Sequence, residues 1–248
     1  MKSQQSRPNV LFILIDDMGW MDLSCQGSTF YETPNIDRLK NEGIQFTRAY
    51  ASCPVCSPTR ASIMTGKYPA NVGITQWIGG NLSGKVVGAP YLHYLPLKEK
   101  SLPQTFKENG YNTYHVGKWH LGDEEYWPTK HGFDCNVGGC HMGNPYHGYF
   151  SPYEIPTLEN GPKGEYLTDR LTNEAINLLQ GNQDAPFFMY MSYYSVHTPI
   201  QAPKEEIDKF KKKAAKLGLD KKNPFEIENL DMHLNRRHIT KVKHRIVQ

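Results

Sequence analysis

Nowhere in the 248 residues does an apolar run approach the roughly 20 residues that a membrane-spanning helix requires, so no bilayer crossing is expected. Charge of one sign is equally scarce. The formal net charge of +3 is too small to argue for a nucleic-acid partner, and the lysines gather in one late stretch instead of an aromatic-interleaved stripe. Five cysteines in a chain of this length do not make a disulfide framework. Lys2 and Arg7 precede the run Val10-Leu11-Phe12-Ile13-Leu14-Ile15, but the run is short, lacks a small-residue cleavage site and ends in Asp16-Asp17. It reads as the first strand of a fold and not as an export signal, so the chain as written is expected to be cytoplasmic. With 38% hydrophobic residues it can bury a substantial core, as one large α/β domain or two small ones.

What is present is an alternation of strand and helix patterns. Residues 10 to 15 form a continuous apolar run, as in a parallel strand buried on both faces. Thr33-Pro34 opens a helix that passes through Ile36 and Leu39 and closes at Gly43, and Ile44 to Tyr50 follows as a second strand. Ser101-Leu102-Pro103 opens another helix, closed at Gly110, before a strand from Tyr111 to Val116. Asp169 to Gln180 is a helix ending at Gly181, and Phe187 to Tyr194 is a strongly apolar strand. The order implies an α/β fold with a doubly wound, mostly parallel sheet flanked by helices. Residues 126–156, rich in Gly, Pro, Tyr and His, read as a loop excursion outside the core. Trp127, Tyr146, His147, Tyr149 and Phe150 there either stack on sugar faces or pack the base of their own loop. Residues 204–222 read as a charged helix with a solvated face.

The polar residues fall where such a sheet binds ligands, outside the carboxyl ends of its strands. Asp16 and Asp17 follow the first strand, Cys56 lies beyond the second, Lys118 and His120 follow the third, and His197 follows the fourth. In Cys56-Ser57-Pro58-Thr59-Arg60, Pro58 suits a first helical position and Gly66 a left-handed C-cap. Residues 59–65 are therefore expected to form a short helix with Cys56 just before its N-terminus. Free N–H groups, the helix dipole and the fixed charge of Arg60 make that end a site for a tetrahedral oxyanion. Adjacent carboxylates are hard to bury unneutralised; a divalent cation with oxygen ligands, Ca²⁺ or Mg²⁺, would serve, whereas an isolated pair would be solvated turn residues. Lys118 and His120, two apart in an extended segment, face one side. Cys53-Pro54-Val55-Cys56 also has the spacing of a redox pair or half a zinc site. That reading ranks lower, because Cys135 and Cys140, beside His141, are too far apart for a second close pair.

The C-x-P-x-R pattern followed by A-S-x-x-T-G over residues 56–66, together with Gly117-Lys118-Trp119-His120-Leu121-Gly122, resembles the type I sulfatases of the alkaline-phosphatase-like superfamily. The resemblance implies that a formylglycine-generating maturation enzyme oxidises Cys56 to formylglycine, whose aldehyde hydrate supplies the attacking hydroxyl. It further implies one Ca²⁺ per site, Mg²⁺ being less apt, held by Asp16, Asp17 and the oxygen derived from Cys56. Lys118 and His197 would contact the sulfate and, with Arg60, stabilise its charge; His120 would be the base that breaks down the covalent intermediate. The implied reaction is hydrolysis of an aryl or carbohydrate sulfate ester. Alternatives are a phosphate or phosphonate ester hydrolase on the same scaffold, or a remnant that at most binds an oxyanion. Members of this family are often exported.

The resemblance covers about Asn9 to Met232, giving an incomplete catalytic domain over 1–232 and a non-matching tail over 233–248. The family's Asp-Asn-Gly motif, a lysine beyond it, the last core strands and a smaller C-terminal domain do not follow. The sequence is thus expected to be a truncated or frame-disrupted N-terminal portion, with weakened Ca²⁺ binding and little activity alone. A missing strand would also leave a newly exposed apolar sheet edge.

Overall fold

The computed structural model describes residues 7–80, 84–85, 87–182 and 185–219. The 220–222 end of the charged helix, the 228–232 segment and the 233–248 tail lie outside the described residues. Four strands, β1 (Val10–Leu14), β2 (Asn112–Gly117), β3 (Cys135–Val137) and β4 (Phe187–Ser192), form one parallel sheet in the order β1-β4-β2-β3. The helices are α1 (Pro34–Glu42), α2 (Cys56–Thr65), α3 (Pro69–Val72), α4 (Leu102–Glu108), α5 (Leu167–Gln180) and α6 (Lys204–Leu217). Parallel neighbours cannot be joined by hairpins, so long crossovers carrying α2 to α4 and α5 return the chain to the same edge. None of the described helices is long and apolar enough to cross a membrane.

Central β4 shows why its sequence is apolar throughout: successive side chains enter opposite cores. Phe188 and Tyr190 join Ala61 and Met64 of α2, with Ile74, Leu95, Trp119, Leu121 and Phe133, and the Phe188 ring stacks on Phe106 of α4 at 4.3 Å. Met189 and Met191 join Val116, Tyr149, Tyr153 and the Leu167–Leu171–Ala175 stripe of α5 on the other face. A capping box opens α4, the Ser101 hydroxyl accepting from the Gln104 N–H at 3.3 Å and the Gln104 side chain accepting from the Ser101 N–H at 2.8 Å.

Three expectations are corrected. Ile44 to Tyr50 forms no strand; Ile44, Phe46 and Tyr50 are exposed, and among the described residues no strand pairs with them. Apolar alternation specifies a strand only when a partner accepts its backbone hydrogen bonds. Residues 126–156 are not an excursion from the core: they supply β3 and bury Phe133, Met142, Tyr149, Tyr153 and Ile155. Their glycines and prolines turn the chain between buried anchors, which composition alone reads as loop. β1 is buried on one face only, as Val10, Phe12 and Leu14 pack on the α2 side while Leu11 and Ile13 are 48% and 50% exposed on the other.

The sheet and helices α2 to α5 belong to one compact unit, the described residues within 7–17 and 48–199. The other unit combines residues 18–47 with residues 200–219. Within it, Ser24, Thr33 and Asp37 share hydrogen bonds at the start of α1, Lys209 and Lys213 of α6 each pair with Glu32 at 2.9 Å, and Phe210 packs edge-on to Phe30.

Among the described residues β1 is an edge strand with a half-exposed apolar face, a surface open to unwanted pairing. Lysine at both Leu11 and Ile13 is expected to leave the far-UV circular dichroism unchanged and to lower concentration-dependent self-association in light scattering. Undiminished association would locate the adhesive surface elsewhere.

Candidate active site

Strand register brings the site together. Leu14 of β1 and Gly117 of β2 both lie opposite Ser192 of β4, so the three strands end in one row. The ladder continues one step further, Tyr193 N–H donating to Leu14 C=O at 3.0 Å and Lys118 N–H to Ser192 C=O at 2.7 Å. Gly117 permits that closure: it has φ 98°, and an added Cβ would lie 1.9 Å from the Ser192 carbonyl oxygen. Residues just beyond this row, Asp16 and Lys118, must therefore meet.

They do so under complete burial. Lys118 Nζ donates to Asp16 Oδ2 at 2.5 Å, and Arg60 Nη2 reaches Asp16 Oδ1 at 3.2 Å. Arg60 Nη1 also donates to the Lys118 carbonyl at 2.8 Å and to Ser192 Oγ at 2.5 Å, tying α2 to the ends of β2 and β4. Burial by itself would raise the Asp16 pKa, but Arg60 and Lys118, with a smaller contribution from His197, hold it below its ordinary 3.8. Burial, followed by the Arg60 charge, lowers the Lys118 pKa against the opposing pull of Asp16. Asp16 therefore stabilises the fold fully above its ordinary value, and that contribution is lost as pH falls through the lower native one.

At the N-terminus of α2, Cys56 is the first helical residue with Val55 as N-cap. This corrects the expected start at Thr59: Pro58 occupies the third position, where its missing N–H still costs no helical bond. The Gly66 cap is left-handed as anticipated, with φ 67°. Cys56 Sγ lies 3.3 Å from His120 Nδ1, while His120 Nε2 lies 2.9 Å from the Ile78 carbonyl. A carbonyl only accepts, so Nε2 carries the proton and Nδ1 presents its lone pair to residue 56. Burial, then the neighbouring Lys118 charge, lowers the His120 pKa to about 3, which keeps the ring neutral at neutral pH. Ser57 Oγ accepts from the Ile78 N–H at 3.1 Å, so one short loop fixes both the helix start and the base.

His120 is not in an extended segment. Its φ is 56°, as Asp17 has φ 58°, and such non-glycine left-handed residues are held only where surroundings over-determine them. Around Asp17 this is done by Asp16 N–H donating to Ser195 C=O and Val196 N–H to Asp16 C=O, and at His120 by its N–H donating to Cys140 C=O at 3.0 Å. Gly143 closes the other side of the imidazole, where an added Cβ would stand 2.6 Å from Cε1.

Cys56 and His120 open into a cleft of about 460 Å³ lined also by Asp17, Pro54, Val55, Trp77, Ile78, Gly79, Gly143, Asn144, Tyr146 and His197. His197 Nδ1 is 2.9 Å from the Thr198 carbonyl and so donates to it, leaving Nε2 facing Asp17 Oδ2 at 3.7 Å. Of the residues singled out in the sequence, Asp17, Cys56, His120 and His197 line this cleft. Asp16, Arg60 and Lys118 stand behind it as a buried ion cluster, and neither cation lines the cleft. Of the loop aromatics only Tyr146 lines it; Tyr149 is buried, Trp127 packs on the core, Phe150 leans on Tyr166 and His147 pairs with Glu154. Trp77, Ile78, Asn144 and Gly143 were missed, for want of any pattern beyond the Gly79-Gly80 turn signal.

All five cysteines are free, which leaves the Cys53/Cys56 pair without a disulfide. Among the described residues no group of three or more His, Cys, Asp or Glu gathers as a metal site, and the charge of Asp16 is met by Lys118 and Arg60. Two side-chain cations thus stand beside Asp16, at the place where the sequence called for a divalent one. Asp16, buried, and Asp17, exposed, remain two adjacent carboxylate oxygen donors that fit part of the ligand set of a hard cation.

A family model described as Sulfatase matches residues 8–237, reaching past Met232. N-acetylgalactosamine-6-sulfatase of Mus musculus is 35% identical over 218 residues, covering 80% of this chain and 41% of that protein. The chain thus spans about two-fifths of the length of such curated relatives. Ps i-CgsB, solved in complex with k-i-k-neocarrahexaose, superposes with TM-score 0.68 at 33% identity, over 83% of this chain and 49% of that one. A protein solved with its substrate D-glucosamine-2-N,6-O-disulfate superposes with TM-score 0.66 at 28% identity, over 84% and 38%.

Removing one partner of a buried ion cluster leaves the others uncompensated, so Asp16→Asn is expected to lower the unfolding free energy by about 3–5 kcal/mol in urea denaturation. A loss below about 1 kcal/mol, the scale of an exposed pair, would contradict the burial described. Gly143→Ala is expected to displace the His120 ring, shifting its imidazole NMR signals and altering the rate of Cys56 alkylation by iodoacetamide. Unchanged signals and rate would show that the ring is not confined by Gly143.

Proposed function

The chain belongs to the sulfatase family, and from that premise we propose that its cleft hydrolyses a sulfuric ester, releasing sulfate and an alcohol. The observation that carries this reading is the 3.3 Å approach of His120 Nδ1 to the side chain of residue 56 at the start of α2. Formylglycine, the family's modification of this cysteine, supplies the oxygen nucleophile when present.

The chain's own residues do the rest. His120, neutral and with its lone pair on Nδ1, can take a proton from an oxygen carried by residue 56. The first N–H groups of α2 and the helix dipole favour the anionic ester beside it. His197, whose Nδ1 is committed to Thr198, presents Nε2 to the cleft, where it can donate to the departing oxygen once protonated. Lys118 and Arg60 act from behind by fixing Asp16 and, through the Arg60 bonds to the Lys118 carbonyl and Ser192, the spacing of three strand ends. Asp16 and Asp17 would contribute carboxylate oxygens to a divalent cation. Ca²⁺ is the ion favoured, since it accepts irregular oxygen sets more readily than Mg²⁺.

The relatives named above act on or bind sulfated sugars according to their names, which favours a carbohydrate sulfate ester here. After co-expression with a formylglycine-generating enzyme, mass spectrometry of the Cys56 peptide should show the aldehyde. Sulfate release from an aryl sulfate should then be abolished by Cys56→Ala without a change in melting temperature, and slowed about 10²–10⁴-fold by His120→Ala. Undiminished release by Cys56→Ala, or a faster reaction on the matched aryl phosphate, would overturn the reading.

A further inference from the structure

Two large aromatic side chains occupy the cleft without being spent on the core: Trp77 is 43% exposed and Tyr146 58% exposed, whereas Tyr149, Tyr153, Tyr190 and Tyr194 are buried. Each is anchored beside a residue that confines His120. The carbonyl of Ile78, next to Trp77, receives the His120 Nε2 hydrogen bond, and Gly143, three residues before Tyr146, abuts the same ring. We propose that Trp77 and Tyr146 are the specificity-determining walls of the cleft, recognising the pyranose ring of a sulfated sugar whose ester lies against residue 56.

The local structure pre-organises both rings. The Trp77 carbonyl accepts from Tyr91 Oη at 2.8 Å and from the Gly80 N–H at 2.9 Å, and its N–H donates to Gln76 Oε1 at 3.0 Å. The indole lies over Gly79, where an added Cβ would be 3.5 Å from Cζ3. Tyr146 sits inside a turn closed by Gly148 N–H donating to Pro145 C=O at 2.9 Å, with His141 6.3 Å away ring to ring. The main chain carrying both rings is thus held by hydrogen bonds, and an aromatic side chain has only two torsions to order on binding. Because Ile78 also donates to Ser57 at the start of α2, the distance from Trp77 to the reacting centre is set by backbone bonds and not by a flexible loop.

The chemistry suits a sugar. Aromatic faces take the C–H faces of a pyranose, while the indole N–H and the phenol hydroxyl supply polar edges. Neither of those two groups hydrogen-bonds within the protein among the described residues, and Asn144 adds an amide to the same lining. An inorganic sulfate has no C–H face to lay on these rings. The inference rests on the sulfuric-ester reading only for the orientation of the ester, and binding can be measured apart from turnover.

Titration calorimetry of the purified chain with N-acetylgalactosamine 6-sulfate and, separately, inorganic sulfate separates the two. Trp77→Ala and Tyr146→Ala are each expected to weaken the sugar sulfate by about threefold to tenfold and to leave inorganic sulfate unchanged, with Trp77→Phe recovering most of the loss. Equal weakening of both ligands, an unaffected sugar sulfate, or no binding of the sugar sulfate by the unsubstituted chain would each overturn the proposal. If the sugar sulfate binds in a Trp77-dependent manner yet is never hydrolysed by the formylglycine-bearing chain, the walls stand and the hydrolase reading fails.

Discussion

Everything at the active end of this sheet depends on one buried carboxylate. Asp16 follows β1 into a buried position, and its charge survives there because Lys118, just after β2, and Arg60 from α2 meet it at 2.5 and 3.2 Å. An unpaired ion at that depth would cost several kcal/mol, so the three segments are obliged to assemble together. The consequence is geometric as much as energetic: once Arg60 is drawn to Asp16, the Lys118 carbonyl and Ser192, the start of α2 has only one place to be. Cys56 is delivered to the cleft by a cluster that does not itself line it.

The base is positioned by a second set of constraints that owes nothing to charge. His120 is held in a left-handed conformation by Cys140, oriented by the Ile78 carbonyl, and walled in by a glycine that leaves no room for a methyl group. These contacts decide its tautomer, and the tautomer decides which nitrogen faces residue 56. Burial then keeps the ring neutral, so its lone pair is available across the ordinary pH range. Lys118 contributes here too, its charge opposing protonation of the neighbouring imidazole. The ion cluster and the base are therefore electrostatically linked through one buried lysine.

Two residues that pattern reading places on the substrate, Arg60 and Lys118, make their contacts with Asp16 in this arrangement. Arg60 and Lys118 look in the sequence like anion ligands, because a cation one turn into a helix and a cation after a strand are what an oxyanion site needs. In the folded chain both are committed to Asp16 and buried. Arg60 also bonds Ser192 and the Lys118 carbonyl, and neither cation is among the residues that line the cleft. The cleft is instead walled by groups of little sequence distinction, Trp77, Ile78 and Asn144, brought there by two loops that share His120 as a common anchor.

Much of the scaffold was legible because it follows from local rules. Apolar runs marked β1, β2 and β4, Ser101-Leu102-Pro103 announced the start of α4, Gly66 ended α2, and the strand-end rule placed Asp16, Lys118, His120 and His197 at one edge. The failures have a common cause: each depends on a partner that the local sequence does not name. Ile44 to Tyr50 alternates like a strand but finds no ladder, and residues 126–156 look like loop because burial of Tyr149 and Tyr153 is decided by α5 and β4. What the sequence by itself determined is the chemistry available, a cysteine at a helix start with acid, base and cation residues after parallel strands. Only the tertiary structure decided which of these face solvent and which face one another. Strand register sets Leu14 and Gly117 both opposite Ser192, and this long-range alignment, which no local pattern encodes, brings Asp16 and Lys118 together.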